Sequence, residues 1–251
     1  MKRLELIGVE GLGEVRAGDS VGALIGEACL RQAIALGNDD VLVVAHKIVS
    51  KAEGRMVCLD EVQPSKQAID LASQLDKEPA LVEVILRESR GIVKSGGRAL
   101  IVETHHGFIC ANAGVDQSNV GLNQVALLPK DPDGSAREIR REIHRRTGKN
   151  PPVIISDSFG RVWRIGTVDV AIGISGLKPI KDERGMKDRY GYQLKAAVAA
   201  IADEIAAAAE LVMGKRDGVP VVIVRGCEIE KEEGSVQELF RPEAEDLFRH
   251  F

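Results

Sequence analysis

The chain has 251 residues, 44% hydrophobic, 29% charged and 3% aromatic, with a formal net charge of −4. A chain of this length suits one large domain or two modest ones and buries roughly 70–75% of its unfolded surface, so it folds without disulfides or structural metals, and this composition excludes a disordered chain. The mild acidity provides no general attraction for nucleic acid or an anionic membrane, and so few aromatics make no base-stacking platform.

Residues 3–8 read as a short strand, followed by a glycine turn at Gly11 and Gly13. Asp19 or Ser20 then caps a helix whose apolar positions are Val21, Leu24, Ile25, Cys29, Ile34 and Leu36. Residues 40–45 form a continuous apolar run, as in a strand covered on both faces. Helical patterns follow over 64–75, opened by Pro64 in the first turn, and over 79–90. Strands are expected at 98–103 and 107–112, joined through His105-His106-Gly107. A loop spans 112–123, and a short strand occupies 125–128.

A charged amphipathic helix starts at Asp131 and stops at Gly148. Residues 152–156 form a second apolar strand that runs into Asp157-Ser158-Phe159-Gly160, and another strand follows over 167–174. After a polar segment come an Ala-rich helix at 189–213, a core strand at 219–224 and a C-terminal helix from near Ser235. Strands and helices without strict alternation predict a mixed α/β (α+β) fold rather than a doubly wound Rossmann sheet. One domain over 1–251 is expected, with a subdomain boundary near residue 130.

The N-terminus turns charged at Lys2 and Arg3, too soon for a signal peptide. The longest apolar stretch, 194–213, carries Lys195, Asp203, Glu204 and Glu210 and cannot span a bilayer. Cys29, Cys58, Cys110 and Cys227 lie far apart without zinc-ligand spacing, which reads as buried free thiols. A cytoplasmic protein is the expectation.

The chemistry gathers where apolar strands end, the usual place for α/β ligand sites. The segment His46-Lys47-Ile48-Val49-Ser50-Lys51-Ala52-Glu53-Gly54-Arg55 leaves the first buried strand, and its lysines are either solvated turn residues or point charges for phosphate oxygens. Asn112-Ala113-Gly114-Val115-Asp116-Gln117-Ser118-Asn119 offers hard oxygen donors suited to magnesium or manganese, or else an Asx-turn. In Asp157-Ser158-Phe159-Gly160-Arg161-Val162-Trp163-Arg164-Ile165-Gly166, a carboxylate precedes two arginines. That set holds a metal and clamps its phosphate, with Arg161 and Arg164 as phosphate contacts, or it makes an ion pair within a loop. The charged run 182–191 reads as solvated surface.

No GxxxxGK[ST] phosphate loop, GxSxG elbow or HExxH spacing is present. The residues therefore lead to a metal-assisted reaction on a phosphorylated ligand, and no further.

At these same segments the sequence resembles the coenzyme F420-0:γ-glutamyl ligase family. The resemblance is carried by 47–55, 112–119 and 157–166, together with Ala171-Ile172-Gly173-Ile174-Ser175-Gly176, Lys187-Asp188-Arg189-Tyr190-Gly191 and Val224-Arg225-Gly226. It implies a family-specific fold and a homodimer acting on F420-0, GTP and L-glutamate. GTP phosphorylates the precursor's terminal carboxylate, the glutamate amine attacks the resulting acyl phosphate, and further rounds extend a γ-linked tail. The resemblance also implies magnesium or manganese, with potassium as an additional ion. Asp116 and Asp157 are implied as ligands of one divalent ion, and Ser158 lies near a second. Nucleotide contacts are implied at Leu12, Gly13, Glu14 and Val15, at His46, Lys47, Lys51 and Asn119, and at Met213, Gly214, Lys215, Arg216, Asp217, Gly218 and Val219. Asp116, Asp157 and Lys51 are the implied catalytic set.

The chain departs from the family pattern in three places. Lys215 stands where archaeal members have an acidic second-metal ligand, and Glu14 is an unusual neighbour for a phosphate. The flavin-binding, nitroreductase-like domain of some bacterial members is expected to be absent. Two other readings remain open, a metal-dependent nucleotide phosphohydrolase and a GTP-binding module without chemistry.

Overall fold

In the computed structural model, which describes residues 2–248, the apolar runs assemble into one central sheet and a smaller unit inserted between two of its strands. β1 (Glu5–Val9) leads to α1 (Val21–Arg31), capped by Ser20, whose hydroxyl accepts from the Ala23 amide. β2 (Val41–Ala45) passes directly into the short α2 (His46–Ala52). The insert comprises β3 (Met56–Cys58), α3 (Lys66–Leu75), α4 (Pro79–Arg87), β4 (Ser89–Gly96), β5 (Ala99–Thr104), β6 (Ile109–Ala111) and β7 (Gln124–Ala126). The chain then continues through α5 (Pro132–Thr147), β8 (Val153–Arg161), β9 (Arg164–Ser175), β10 (Lys181–Asp182), β11 (Val198–Ala199), α6 (Ile201–Met213) and β12 (Val221–Arg225).

The central sheet has the order β1-β12-β2-β8-β9, and only β2 and β8 run parallel. This mixed sheet is neither a Rossmann nor a phosphate-loop arrangement, and the fold is α+β as the pattern predicts. Val41–Val44 of β2, Val153–Ile155 of β8 and Val221–Val224 of β12 are buried on both faces, which is why they read as unbroken apolar runs. Each such side chain contributes roughly 1.5–3 kcal/mol on leaving water. A second apolar cluster, built from residues between Leu59 and Leu127, packs α3 and α4 against β5 and the 112–127 segment.

Several elements differ from expectation for local reasons. α1 stops at Arg31, because Ala33 turns left-handed at φ 54°, so Ile34 and Leu36 lie outside the helix. Pro64, expected in the first turn of α3, precedes the helix: Ser65 is its N-cap and Lys66 its first residue. The helix expected over 79–90 ends at Arg87, and 89–96 form a strand that pairs with β5. Residues 157–166, expected as a loop, are strand: β8 and β9 form a long hairpin whose tip is Val162-Trp163. The Ala-rich helix begins only at Ile201. Upstream, the Asp188 carboxylate accepts from the Tyr190 and Tyr192 amides, an Asx-turn that takes the amides a helix would need.

The expected C-terminal helix is replaced by two 3-10 turns, Val236–Leu239, opened by a Ser235/Glu238 capping box, and Glu243–Glu245. Pro242 prevents extension of the first, and the expected helix past 248 lies outside the described residues. Among the described residues, no helix is long and apolar enough to cross a membrane.

Candidate active site

Because β2 and β8 are parallel neighbours, with Ala45 opposite Ser156, the chain leaves β2 at His46 beside Asp157, midway along β8. A cleft of about 990 Å³ opens there. Gly13, Glu14 and Val15 line it from the first turn, His46, Lys47 and Lys51 from α2, and Asn119 from the insert. Met213, Gly214, Lys215, Gly218 and Val219 line it from the end of α6, and Asp157 and Ser158 from β8. Segments far apart in sequence thus meet at one site.

Its lysines are each engaged. Lys47 Nζ lies 2.8 Å from Asp116 Oδ2 and donates to Ser118 Oγ at 2.7 Å. Lys51 Nζ donates to Glu14 Oε1 at 2.6 Å, and Lys215 Nζ to Ser158 Oγ at 2.5 Å. Asn119 Nδ2 donates to the Lys215 carbonyl at 3.1 Å, tying the insert to the loop after α6. His46 is 2% exposed; its Nδ1 lies 3.3 Å from Ser50 Oγ and its Nε2 3.3 Å from Asp157 Oδ1.

Asp116 is delivered by a strained turn. Asn112, Ala113 and Gly114 are all left-handed, at φ 56°, 56° and 68°. For the two non-glycine residues this costs roughly 1–3 kcal/mol each, strain that gathers at functional sites. The Asp116 backbone is held by paired hydrogen bonds to Ala126, and its Oδ1 accepts from the Ser118 amide at 2.7 Å, so the Asx-turn reading holds as well. Burial pushes the Asp116 carboxyl up, but the Lys47 ammonium and the Ser118 amide outweigh it and hold the group below its ordinary value. The buried Cys110 thiol is pushed up to about 12, mainly by burial and then by the Asp157 charge, and is inert as a nucleophile.

Other expected residues lie elsewhere. Leu12 is a core residue, 7% exposed. Arg216 and Asp217 do not line the cleft; the Asp217 carboxylate folds back over Gly214. Arg161 and Arg164 sit at the exposed hairpin tip, outside the cleft, and Arg161 donates to the Ile165 carbonyl rather than pairing with Asp157. Of the four thiols, Cys29 and Cys110 are buried, while Cys58 and Cys227 are half-buried; all are free.

Two acidic residues lining the cleft, Asp169 and Glu210, escaped the sequence reading. Asp169 on β9 faces Ser158 across the ladder, is 6% exposed, and lines the cleft. Its carboxylate accepts from Ser158 Oγ at 2.6 Å and Ser156 Oγ at 2.9 Å. The available signal for Asp169 was a lone acid inside the apolar run Val168-Asp169-Val170-Ala171-Ile172.

The donors suit a hard divalent ion. Asp157 and Ser158 present oxygen to the cleft, and His46 Nε2 is a buried ring nitrogen with no hydrogen-bond partner. Among the described residues no three His, Cys, Asp or Glu side chains converge on one point. An ion here would need waters or substrate phosphates to complete its coordination, as magnesium commonly does.

Comparison with known proteins accords with this arrangement. The family model described as F420-0:Gamma-glutamyl ligase matches residues 11–226. The chain is 48% identical to the coenzyme F420:L-glutamate ligase of Methanothermobacter thermautotrophicus, covering 98% of this chain and 99% of the relative. It is 45% identical to the protein of that name from Methanocaldococcus jannaschii, covering 99% and 98%, and 44% identical to that from Archaeoglobus fulgidus, covering 98% and 97%. With the family model spanning most of its length, the chain belongs to the F420-0:γ-glutamyl ligase family of enzymes.

Proposed function

We propose that the chain joins L-glutamate to coenzyme F420-0 in coenzyme F420 biosynthesis, with GTP as co-substrate, magnesium or manganese as the divalent ion and potassium as an additional ion. The observation that carries this reading is one cleft lined by three lysines (Lys47, Lys51 and Lys215) and the carboxylates Asp157 and Asp169, with Asp116 tied to it through its ion pair with Lys47. Phosphoryl transfer asks chiefly for positioning and neutralisation of charge on oxygens, and this set supplies both signs.

In this reading Gly13, Glu14, Val15, Asn119 and the 213–219 loop hold the nucleotide, and Lys51 and Lys47 meet phosphate oxygens. Both lysines exchange an internal carboxylate for phosphate. The terminal carboxylate of F420-0 attacks the γ-phosphorus, GDP departs, and an acyl phosphate remains. The glutamate amine then attacks the acyl carbon, the carbon–oxygen bond to phosphate breaks, and the amine loses a proton to give the amide. A divalent ion held by Asp157 and Asp116, with Ser158 nearby, supplies charge neutralisation on the transferred phosphoryl oxygens.

We further infer a homodimer. The hairpin tip exposes Val162, Trp163 and Ile165 at 67%, 87% and 101%, an apolar surface that a second copy would cover. The free thiols accord with a reducing cytoplasm.

The test is mass spectrometry of the protein incubated with F420-0, GTP, L-glutamate and manganese, omitting each in turn. Glutamyl mass gain with GDP, lost on every omission, is expected. Steady GDP release without mass gain would establish a phosphohydrolase instead.

A further inference from the structure

His46 presents an unexplained atom. Its side chain is 3% exposed, lines the cleft, and carries a buried Nε2 with no hydrogen-bond partner. Nδ1 lies 3.3 Å from Ser50 Oγ, which can accept the single N–H of a neutral imidazole. With that proton on Nδ1, Nε2 carries a lone pair 3.3 Å from Asp157 Oδ1, in a contact whose angle is not that of a hydrogen bond. A lone pair opposite a carboxylate oxygen in a buried setting is repulsive unless a cation lies between them.

The separation fits such a cation. Two ligand atoms each about 2.1 Å from a metal ion, subtending about 100° at it, stand about 3.2 Å apart. The neighbouring position supports the same division of labour. Lys47, next in sequence, pairs with Asp116, whereas His46 Nε2 faces Asp157.

We propose that His46 Nε2 is a direct ligand of the divalent ion, coordinating it together with Asp157, with Ser50 Oγ accepting the Nδ1 proton on the other side of the ring. The inference rests on the reading that a divalent ion binds at Asp157. It adds a nitrogen donor to a site otherwise composed of oxygens and shifts its preference toward manganese over magnesium, since imidazole suits transition ions better than magnesium.

The experiment loads the wild-type chain with Mn2+ alone, without nucleotide or F420-0. Pulsed electron paramagnetic resonance then looks for 14N coupling from a coordinated imidazole, and calorimetry measures the Kd. The coupling is expected in the wild type and absent in His46→Gln, whose Mn2+ Kd rises at least tenfold, with circular dichroism reporting whether the variant is folded. Wild-type protein that binds no Mn2+, or binds it without nitrogen coupling, overturns the proposal irrespective of how the variant behaves. A folded His46→Gln protein with unchanged Kd overturns it as well. Nitrogen-coupled Mn2+ in a chain that adds no glutamate would sink the ligase reading and leave this one standing; glutamate addition without nitrogen coupling would do the reverse.

Discussion

Replacing Arg225 with Met tests the energetics of the sheet in numbers. Arg225 closes β12, and its guanidinium donates to Asp40 Oδ1 at 2.8 Å and Oδ2 at 2.9 Å, and to the Ala35 carbonyl at 2.9 Å. Asp40, 3% exposed at its side chain, also accepts from the Gly37 amide at 2.7 Å, so the pair fixes the turn entering β2. Removing one partner of a fully buried pair costs roughly 3–5 kcal/mol; the 40% exposure of Arg225 screens part of this, leaving about 2–3 kcal/mol. For a chain of this size that lowers Tm by about 5–10 °C.

The pH dependence carries a definite sign. Burial alone raises the Asp40 carboxyl, but Arg225 and the Gly37 amide hold it below its ordinary 3.8. A depressed carboxyl contributes stability above that value and loses it as pH falls through the folded pKa. In Arg225→Met, burial is left opposed only by Gly37, and protonation relieves the misfit at a higher pH. The stability gap, read from urea unfolding, should be full at pH 7 and narrow as pH falls from the variant's raised Asp40 pKa, above 3.8, to the depressed wild-type one. A gap that stays constant from pH 7 to pH 3 would refute the reasoning.

Other substitutions address the site and its surroundings. Gly114→Ala places a Cβ 2.7–2.9 Å from three atoms of the buried Leu128 at φ 68°; it should cost about 2–5 kcal/mol in urea unfolding and weaken Mn2+ binding through Asp116. Asp157→Asn should leave a folded chain whose metal-dependent turnover falls at least 100-fold, measured as GDP release; normal turnover would remove Asp157 from the site. Trp163→Glu at the hairpin tip should convert a dimer to a monomer in light scattering, with thermal unfolding of the isolated chain changed by no more than about 0.5 kcal/mol. Cys110, pushed up to about 12, should resist a thiol reagent at pH 8, where about one molecule in ten thousand is thiolate, and react only on unfolding.

What the sequence determined alone is whatever rests on neighbours along the chain. Unbroken apolar runs marked β2, β8 and β12 because a strand covered on both faces has no polar positions to spare. Ser20, Asp131 and Gly148 marked helix ends because caps satisfy amides and carbonyls a few residues away. Asp157, His46 and Lys47 were visible as polar residues at strand ends, and the long motifs around them carried the family.

Tertiary structure decided which distant residues meet. The parallel pairing of β2 with β8 sets His46 against Asp157, a juxtaposition no spacing encodes. Asp169 joined the site only because antiparallel register places it opposite Ser158. Arg161 and Arg164 looked like phosphate contacts until cross-strand pairing carried them out to the hairpin tip, beyond the cleft. Leu12 likewise went to the core. Local propensity is fixed within a turn or two of the chain, whereas ligand geometry is set by sheet register, and register depends on the burial of strands far apart in sequence.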